Sequence, residues 1–126
     1  MTGPSLTVLV VSDDPHLSSE ITYAFPDDVS VSFALNAREA LPLMGESIPS
    51  VVVVDIRTGS AGGYGLSRDM SANDRLHDIP RLMLLERAQD SWLAKQAGAT
   101  EYLVKPVPND ELVARALALN SQVTTH

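Results

Sequence analysis

The sequence contains no cysteine, which excludes disulfide bonds, and it is poor in basic residues. Nine Lys and Arg stand against sixteen Asp and Glu, and the net charge of −7 disfavours binding to nucleic-acid phosphates or to anionic membranes. No apolar run approaches the length of a membrane span, and the first residues do not resemble a signal peptide. We therefore expect a soluble cytoplasmic protein with no nucleic-acid or membrane partner.

Internal repeats and low-complexity blocks are also absent, so the 126 residues fit one domain. A domain of this size buries roughly two thirds of the surface that its unfolded chain exposes. Residues 1–5 and 120–126 carry no apolar period and are expected to fray. The sequence thus predicts a single domain over residues 1–126 with a core of about 6–119.

Short apolar segments alternate with helix-like stretches along the chain. The apolar segments, predicted as strands, lie at residues 6–11, 29–35, 51–56, 82–85 and 102–104. The stretches with helical spacing lie at about 17–25, 37–44, 64–73, 90–97 and 110–119. Continuous runs such as "VVVVDI" are typical of parallel strands buried on both faces. The alternation predicts an α/β fold, a doubly wound parallel sheet with helices on both sides.

Charged residues stand at the predicted ends of three strands, where binding sites form in such sheets. Asp13 follows the first strand, Asp55 ends the most hydrophobic one, and Lys105 follows the last. A carboxylate in the position of Asp55 is costly to bury without compensation, which Mg²⁺ or Lys105 could supply. Taken singly, each motif has a plainer interpretation: "DP" at residues 14–15 as a helix cap and "VKP" as a turn.

Together these three side chains favour a site that accepts a phosphoryl group. Asp55 would act as nucleophile, with the metal and Lys105 neutralising the phosphoryl oxygens. The sequence carries no P-loop, GxGxxG fingerprint, histidine metal cluster or Ser-His pair for another common chemistry. A metal-dependent phosphatase lacks support because Arg57, not an acid, stands two residues after Asp55. An FMN-binding protein lacks support because no hydroxyl-rich loop follows the first strand.

The chain resembles the receiver domains of two-component response regulators from about residue 6 to residue 119. The strongest matches are "IPSVVVVDI" (48–56), "GGYGLSRDM" (62–70) and "AGATEYLVKP" (97–106). The resemblance implies a flavodoxin-like (βα)5 three-layer sandwich with strand order 2-1-3-4-5, in a bacterial phosphorelay protein that is not an enzyme. It also implies Asp55 as the phosphoacceptor, Lys105 as the phosphate-contacting lysine and Tyr102 as the aromatic switch residue.

The same resemblance implies a weakly bound Mg²⁺. Aligning "VSDDP" with the family's usual Val-Asp-Asp-Glu-Pro makes Asp13 the direct metal ligand and leaves Asp14 the capping role. Asp55 and the backbone carbonyl of Arg57 would be the other ligands. Ser12 stands in place of the family's first acid.

Three further positions depart from the family pattern. Leu85 replaces the Ser or Thr that senses phosphate, Glu86 replaces a small residue beside the site, and Gly59 replaces a proline in a glycine-rich loop. Glu86 would repel an incoming phosphodonor or pair with Lys105. These changes predict an atypical receiver that accepts phosphate but whose structural switch is degraded.

Two functional hypotheses stay open at this point. One is a stand-alone receiver phosphorylated by a histidine kinase or a phosphotransfer protein. The other is a phosphorylation-independent pseudo-receiver that works as an interaction module. In either case the resemblance implies an output partner, or a homodimer, on the face formed by helix 4, strand 5 and helix 5. Trp92 is a candidate anchor there, because Leu93 and Ala97 fit the core better by helical spacing.

Overall fold

The computed structural model describes residues 6–56 and 62–124. The strands are β1 (Leu6–Val11), β2 (Val29–Ala34), β3 (Val51–Asp55), β4 (Arg81–Leu85) and β5 (Glu101–Val104). The helices are α1 (Pro15–Thr22), α2 (Ala37–Glu46), α3 (Gly62–Ser71), α4 (Ser91–Gln96) and α5 (Asn109–Thr124), with a 3-10 turn (Ala88–Asp90) before α4. The predicted alternation of strands and helices is therefore confirmed.

All strand pairs in the sheet are parallel, and the order is β2-β1-β3-β4-β5. This confirms the flavodoxin-like sandwich with order 2-1-3-4-5. The order reverses at β1, whose neighbours are β2 and β3, so the crevice at the switch point opens at the carboxyl ends of β1 and β3. Val11 lies beside Val54 in this register, which brings the residues after both strands to one edge.

Apolar side chains alternate between the two faces of the sheet and form two cores. On one face, residues of β1, β3 and β4 pack against α1 and α5; Ile21, Leu112 and Ala116 are the central helical contributors. On the other face, α2, α3 and α4 cover the sheet, with Met44 and Met70 fully buried. Burial on both faces explains why the central strands are uninterrupted apolar runs.

The helix boundaries differ from the prediction by a few residues at most ends, and α4 and α5 differ most. The segment predicted as a helix over 90–97 is a 3-10 turn followed by the six residues of α4, and α5 continues to Thr124, past the predicted end at residue 119. None of the helices in residues 6–56 and 62–124 is long and apolar enough to cross a membrane.

One glycine of the glycine-rich segment has a packing role. Gly63 lies in the first turn of α3, and a β-carbon there would collide with Ile56 Cδ1 and lie 2.9 Å from Val54 Cγ1. The missing side chain therefore lets α3 approach the end of β3 closely. Arg57 and Gly59, which the sequence singled out, lie outside the described residues.

Candidate phosphoacceptor site

Asp55 is held by a hydrogen bond on each carboxylate oxygen. Lys105 Nζ forms an ion pair with Oδ1, and Ser12 Oγ donates a hydrogen bond to Oδ2 over 2.7 Å. The Asp55 side chain is only 2% exposed, so these two contacts supply the compensation that a buried carboxylate requires. The predicted convergence of Asp55 and Lys105 is therefore present in the structure.

The turn after β1 places Ser12 against Asp55. The Ser12 amide continues the sheet by donating to the carbonyl of Ala34 at 2.9 Å, and its hydroxyl oxygen accepts the Asp14 amide at 3.0 Å. Asp14 in turn caps α1, since its Oδ1 accepts the His16 amide at 3.0 Å and Pro15 fills the first helical position. The capping interpretation of Asp14 is confirmed, and Asp13 is exposed immediately after Ser12.

Lys105 reaches the site from the end of β5. Its amide donates to the carbonyl of Leu85 at 2.7 Å, so the sheet hydrogen bonding extends to the lysine itself, and the Lys105–Pro106 peptide bond is cis. Glu86 follows β4 and brings a carboxylate oxygen to 4.0 Å from Lys105 Nζ. The ammonium group therefore lies between two acids, with Asp55 as the closer partner.

A cavity of about 470 Å³ opens beside this cluster. Its lining combines charged groups with an apolar wall from α1, β4, α5 and the segment leading into α5: Asp14, Leu17, Asp55, Leu84, Glu86, Lys105, Pro106, Val107 and Leu112. Asp55 is therefore buried from bulk solvent but borders a space large enough for a phosphoryl group and part of its donor.

Two of the three predicted switch positions, Leu85 and Tyr102, lie on the other face of the sheet, whereas Glu86 borders the cavity. Leu85 is fully buried in the core between the sheet and the α2–α4 layer, and half-buried Tyr102 packs against the same cluster. No hydroxyl is available at position 85, and Leu85 fills its space with apolar atoms. Tyr64 on α3 belongs to this region as well. Burial raises the pKa of its phenol, the charge of Asp90 raises it further, and Arg87 partly offsets both.

One buried charge that the sequence analysis did not identify lies at the opposite end of β4. Arg81 is only 4% exposed. Its guanidinium donates to the carbonyls of Ser67 (2.7 Å), His77 (2.9 Å) and Ile79 (3.1 Å) and to the hydroxyls of Ser67 (3.2 Å) and Ser71 (2.8 Å). Burial lowers the pKa of Arg81, although an arginine keeps its charge. An arginine inside an otherwise apolar strand was the available signal.

The site around Asp55 offers few oxygen ligands for a magnesium ion. Asp55 is a carboxylate of this site, Asp13 is exposed in the turn after β1, and the third expected ligand belongs to Arg57 outside the described residues. No group of three acidic, histidine or cysteine side chains in the described ranges could hold a metal. Mg²⁺ is commonly held by one or two carboxylates together with waters and substrate phosphates. The Asp55 carboxylate therefore suits Mg²⁺ only where waters and substrate phosphates complete the coordination.

A five-stranded parallel sheet in this order, with an acid and a lysine paired at its carboxyl edge, is the arrangement expected of a receiver domain. The model of the response regulator receiver domain family matches residues 8–117, so this chain belongs to that family. Domains of this family are signalling modules that interact with histidine kinases and with output domains or partners.

Known relatives and solved structures agree with this family. The chain is 32% identical over 120 residues to the response regulator MprA of Mycolicibacterium vanbaalenii, matching 93% of this chain and 51% of MprA. It is 31% identical over 112 residues to an uncharacterised 14.6 kDa protein in the sodA1 3′ region of Leptolyngbya boryana, matching 86% of this chain and 85% of that protein. It thus spans about half the length of a regulator such as MprA.

The fold is also that of a solved structure, the signal receiver domain of a signal transduction histidine kinase from Syntrophus aciditrophicus. The TM-score is 0.84 at 22% identity, with 97% of this chain and 95% of the other covered. At this identity the likeness concerns the fold alone.

Proposed function

We propose that this receiver domain accepts a phosphoryl group on Asp55 and signals through protein–protein contacts, with a degraded switch. The observation that carries the proposal is the Lys105–Asp55 ion pair at the sheet's carboxyl edge, beside a cavity. The pair supplies a nucleophilic carboxylate together with a cation for the incoming negative charge. A histidine kinase or a phosphotransfer protein is the expected donor.

The transfer is a displacement at phosphorus. A carboxylate oxygen of Asp55 attacks the phosphorus of a phosphohistidine, a P–O bond forms, and the P–N bond breaks with its electron pair returning to the imidazole. The product is an acyl phosphate, and Lys105 can move from the carboxylate to a phosphoryl oxygen with little displacement. When bound, Mg²⁺ neutralises charge on the transferring oxygens. Asp13, Asp55 and the Arg57 carbonyl are its expected ligands.

The first test is the intact mass of the protein after incubation with acetyl phosphate, with and without Mg²⁺. We expect one phosphoryl group on the natural chain and none on Asp55→Asn, because an amide cannot form the acyl phosphate. Asp69→Asn, which changes an exposed acid of α3, is the matched control and should be phosphorylated normally. Equal incorporation in the Asp55→Asn variant would place the phosphate elsewhere and refute the proposal.

A second candidate function is a phosphorylation-independent interaction module. It is favoured by Glu86, which holds a carboxylate 4.0 Å from Lys105, and by Leu85, which cannot hydrogen-bond a phosphoryl oxygen. If the natural chain takes up no phosphate, Glu86→Ala separates two explanations. Phosphorylation of that variant would show that Glu86 blocks a competent site. Its continued absence would favour the interaction module.

The expected output surface is the face formed by α4, β5 and α5. Trp92 on α4 is 57% exposed and Val104 on β5 is 36% exposed, while the neighbouring Ala94 is fully buried. An exposed tryptophan is a common anchor of protein interfaces. An output partner or a second copy of the chain could dock on this face.

Replacing Trp92 with alanine tests this surface. We expect the free energy of unfolding to change by less than about 1 kcal/mol, since the side chain packs little against the core. We expect binding to a partner or to a second copy, measured by analytical ultracentrifugation or pull-down, to weaken by about tenfold or more. A large drop in melting temperature would show instead that Trp92 supports the fold.

A further inference from the structure

We propose that the Ser12 hydroxyl sets the magnesium affinity of this site, because it occupies Oδ2 of Asp55 in competition with the cation. The inference rests on the proposed function only in taking Asp55 as the centre of the site. In this inference an uncharged side chain, Ser12, controls how tightly Asp55 binds the metal.

The hydrogen bonding fixes the direction of the Ser12 hydroxyl. Ser12 is 6% exposed, and its oxygen already accepts the Asp14 amide at 3.0 Å. A serine hydroxyl has a single proton, so the proton points at Asp55 Oδ2, 2.7 Å away. The Ser12 hydroxyl therefore does not rotate freely, and it donates its hydrogen bond to Asp55.

This contact competes with a metal. Mg²⁺ binds carboxylate oxygens with strict octahedral geometry and sheds its waters reluctantly. To bind Oδ2 of Asp55, the ion must either share this oxygen with the Ser12 hydrogen bond or break that hydrogen bond, while Lys105 holds Oδ1. A hydrogen bond to a charged group shifts such an equilibrium by about tenfold.

The same contact removes the need for a cation in the resting state. Lys105 and Ser12 together satisfy both oxygens of Asp55, so the carboxylate is compensated without a metal. An aspartate at position 12 would reverse this situation. Its charge would lie beside Asp55, where two like charges repel each other and favour binding of a divalent cation.

Magnesium titration of the unphosphorylated protein tests the inference, followed by calorimetry and by amide resonances in two-dimensional NMR. The variants are Ser12→Thr, Ser12→Ala, Ser12→Cys and Ser12→Asp. We expect Ser12→Thr to bind as weakly as the natural chain because it keeps the hydroxyl. Ser12→Ala should bind about five- to tenfold more tightly, with Ser12→Cys between them as a weak donor. Ser12→Asp should bind more tightly still.

The resonances of Asp14 and His16 report whether the turn after β1 survives each substitution. If alanine disturbs the turn, Ser12→Cys is the deciding variant, since sulfur occupies the same place with a weaker donor. Equal affinity of the natural chain, Ser12→Ala and Ser12→Cys would overturn the inference, even if Ser12→Asp binds more tightly. Because the titration requires no phosphate, it gives its answer whether or not Asp55 is ever phosphorylated.

Discussion

Replacing Arg81 with methionine is expected to lower the free energy of unfolding by about 3 kcal/mol or more, and the melting temperature by about 10 °C. Methionine preserves the apolar stem but deletes every donor of the guanidinium. The carbonyls of Ser67, His77 and Ile79 would then lose a buried partner. Each buried group left without a hydrogen bond costs about 1–3 kcal/mol, which is why the expected loss is large.

Chemical denaturation monitored by circular dichroism measures this loss. Arg68→Met is the matched control, because Arg68 lies next to Ser67 on α3 but is exposed, and its replacement should change stability by less than about 0.5 kcal/mol. Equal stability of the two variants would mean that water replaces the guanidinium at all three carbonyls. The inferred role of Arg81 in joining α3 to β4 would then be wrong.

The second large effect concerns the switch position. Introducing threonine for Leu85 should destabilise the unphosphorylated domain by about 3 kcal/mol, since it removes apolar volume from a fully buried site and adds a hydroxyl there. In exchange, the hydroxyl could bond a phosphoryl oxygen on Asp55. We expect phosphorylation to shift the amide resonances of residues 82–105 more strongly in this variant than in the natural chain.

Leu85→Val separates the two effects, because valine has almost the shape of threonine without the hydroxyl. It should lose less stability than Leu85→Thr, because it removes apolar volume without burying a hydroxyl, and it should gain no phosphate-dependent response. Equal resonance shifts in the natural chain and in Leu85→Thr would contradict the degraded switch. The comparison requires phosphorylated protein and therefore follows the mass measurement on Asp55.

The fold could be predicted from the sequence because each strand and most helices have a local pattern of apolar residues. The run "VVVVDI" predicts a strand buried on both faces, and the structure places Val51–Asp55 at the centre of the sheet. The α4 region was harder. A helix of six residues makes fewer than two turns, so spacing identified Ala97 correctly but favoured the partly buried Leu93 over the fully buried Ala94.

The site was predictable in part for the same reason. Asp55 and Lys105 stand at the ends of strands, and a parallel sheet brings strand ends together whatever the loops do. The contacts of Ser12 and Arg81 were not predicted, because neither residue belongs to the pattern of charges at the carboxyl ends of the strands. The Ser12 hydroxyl meets Asp55, 43 residues away, and Arg81 meets Ser67, 14 residues away.

Strand β4 carries the buried Arg81 at one end and the predicted switch position Leu85 at the other. Arg81 begins the strand and Leu85 ends it, roughly 13 Å apart at the rise of a β-strand. Substitutions separated by this distance and sharing no partner usually contribute independently to stability. Substitutions around Asp55 and Leu85 are therefore expected to leave the contribution of Arg81 to stability unchanged. With stability and switching at opposite ends of β4, the same fold would serve either a receiver that responds to phosphate or an interaction module that does not.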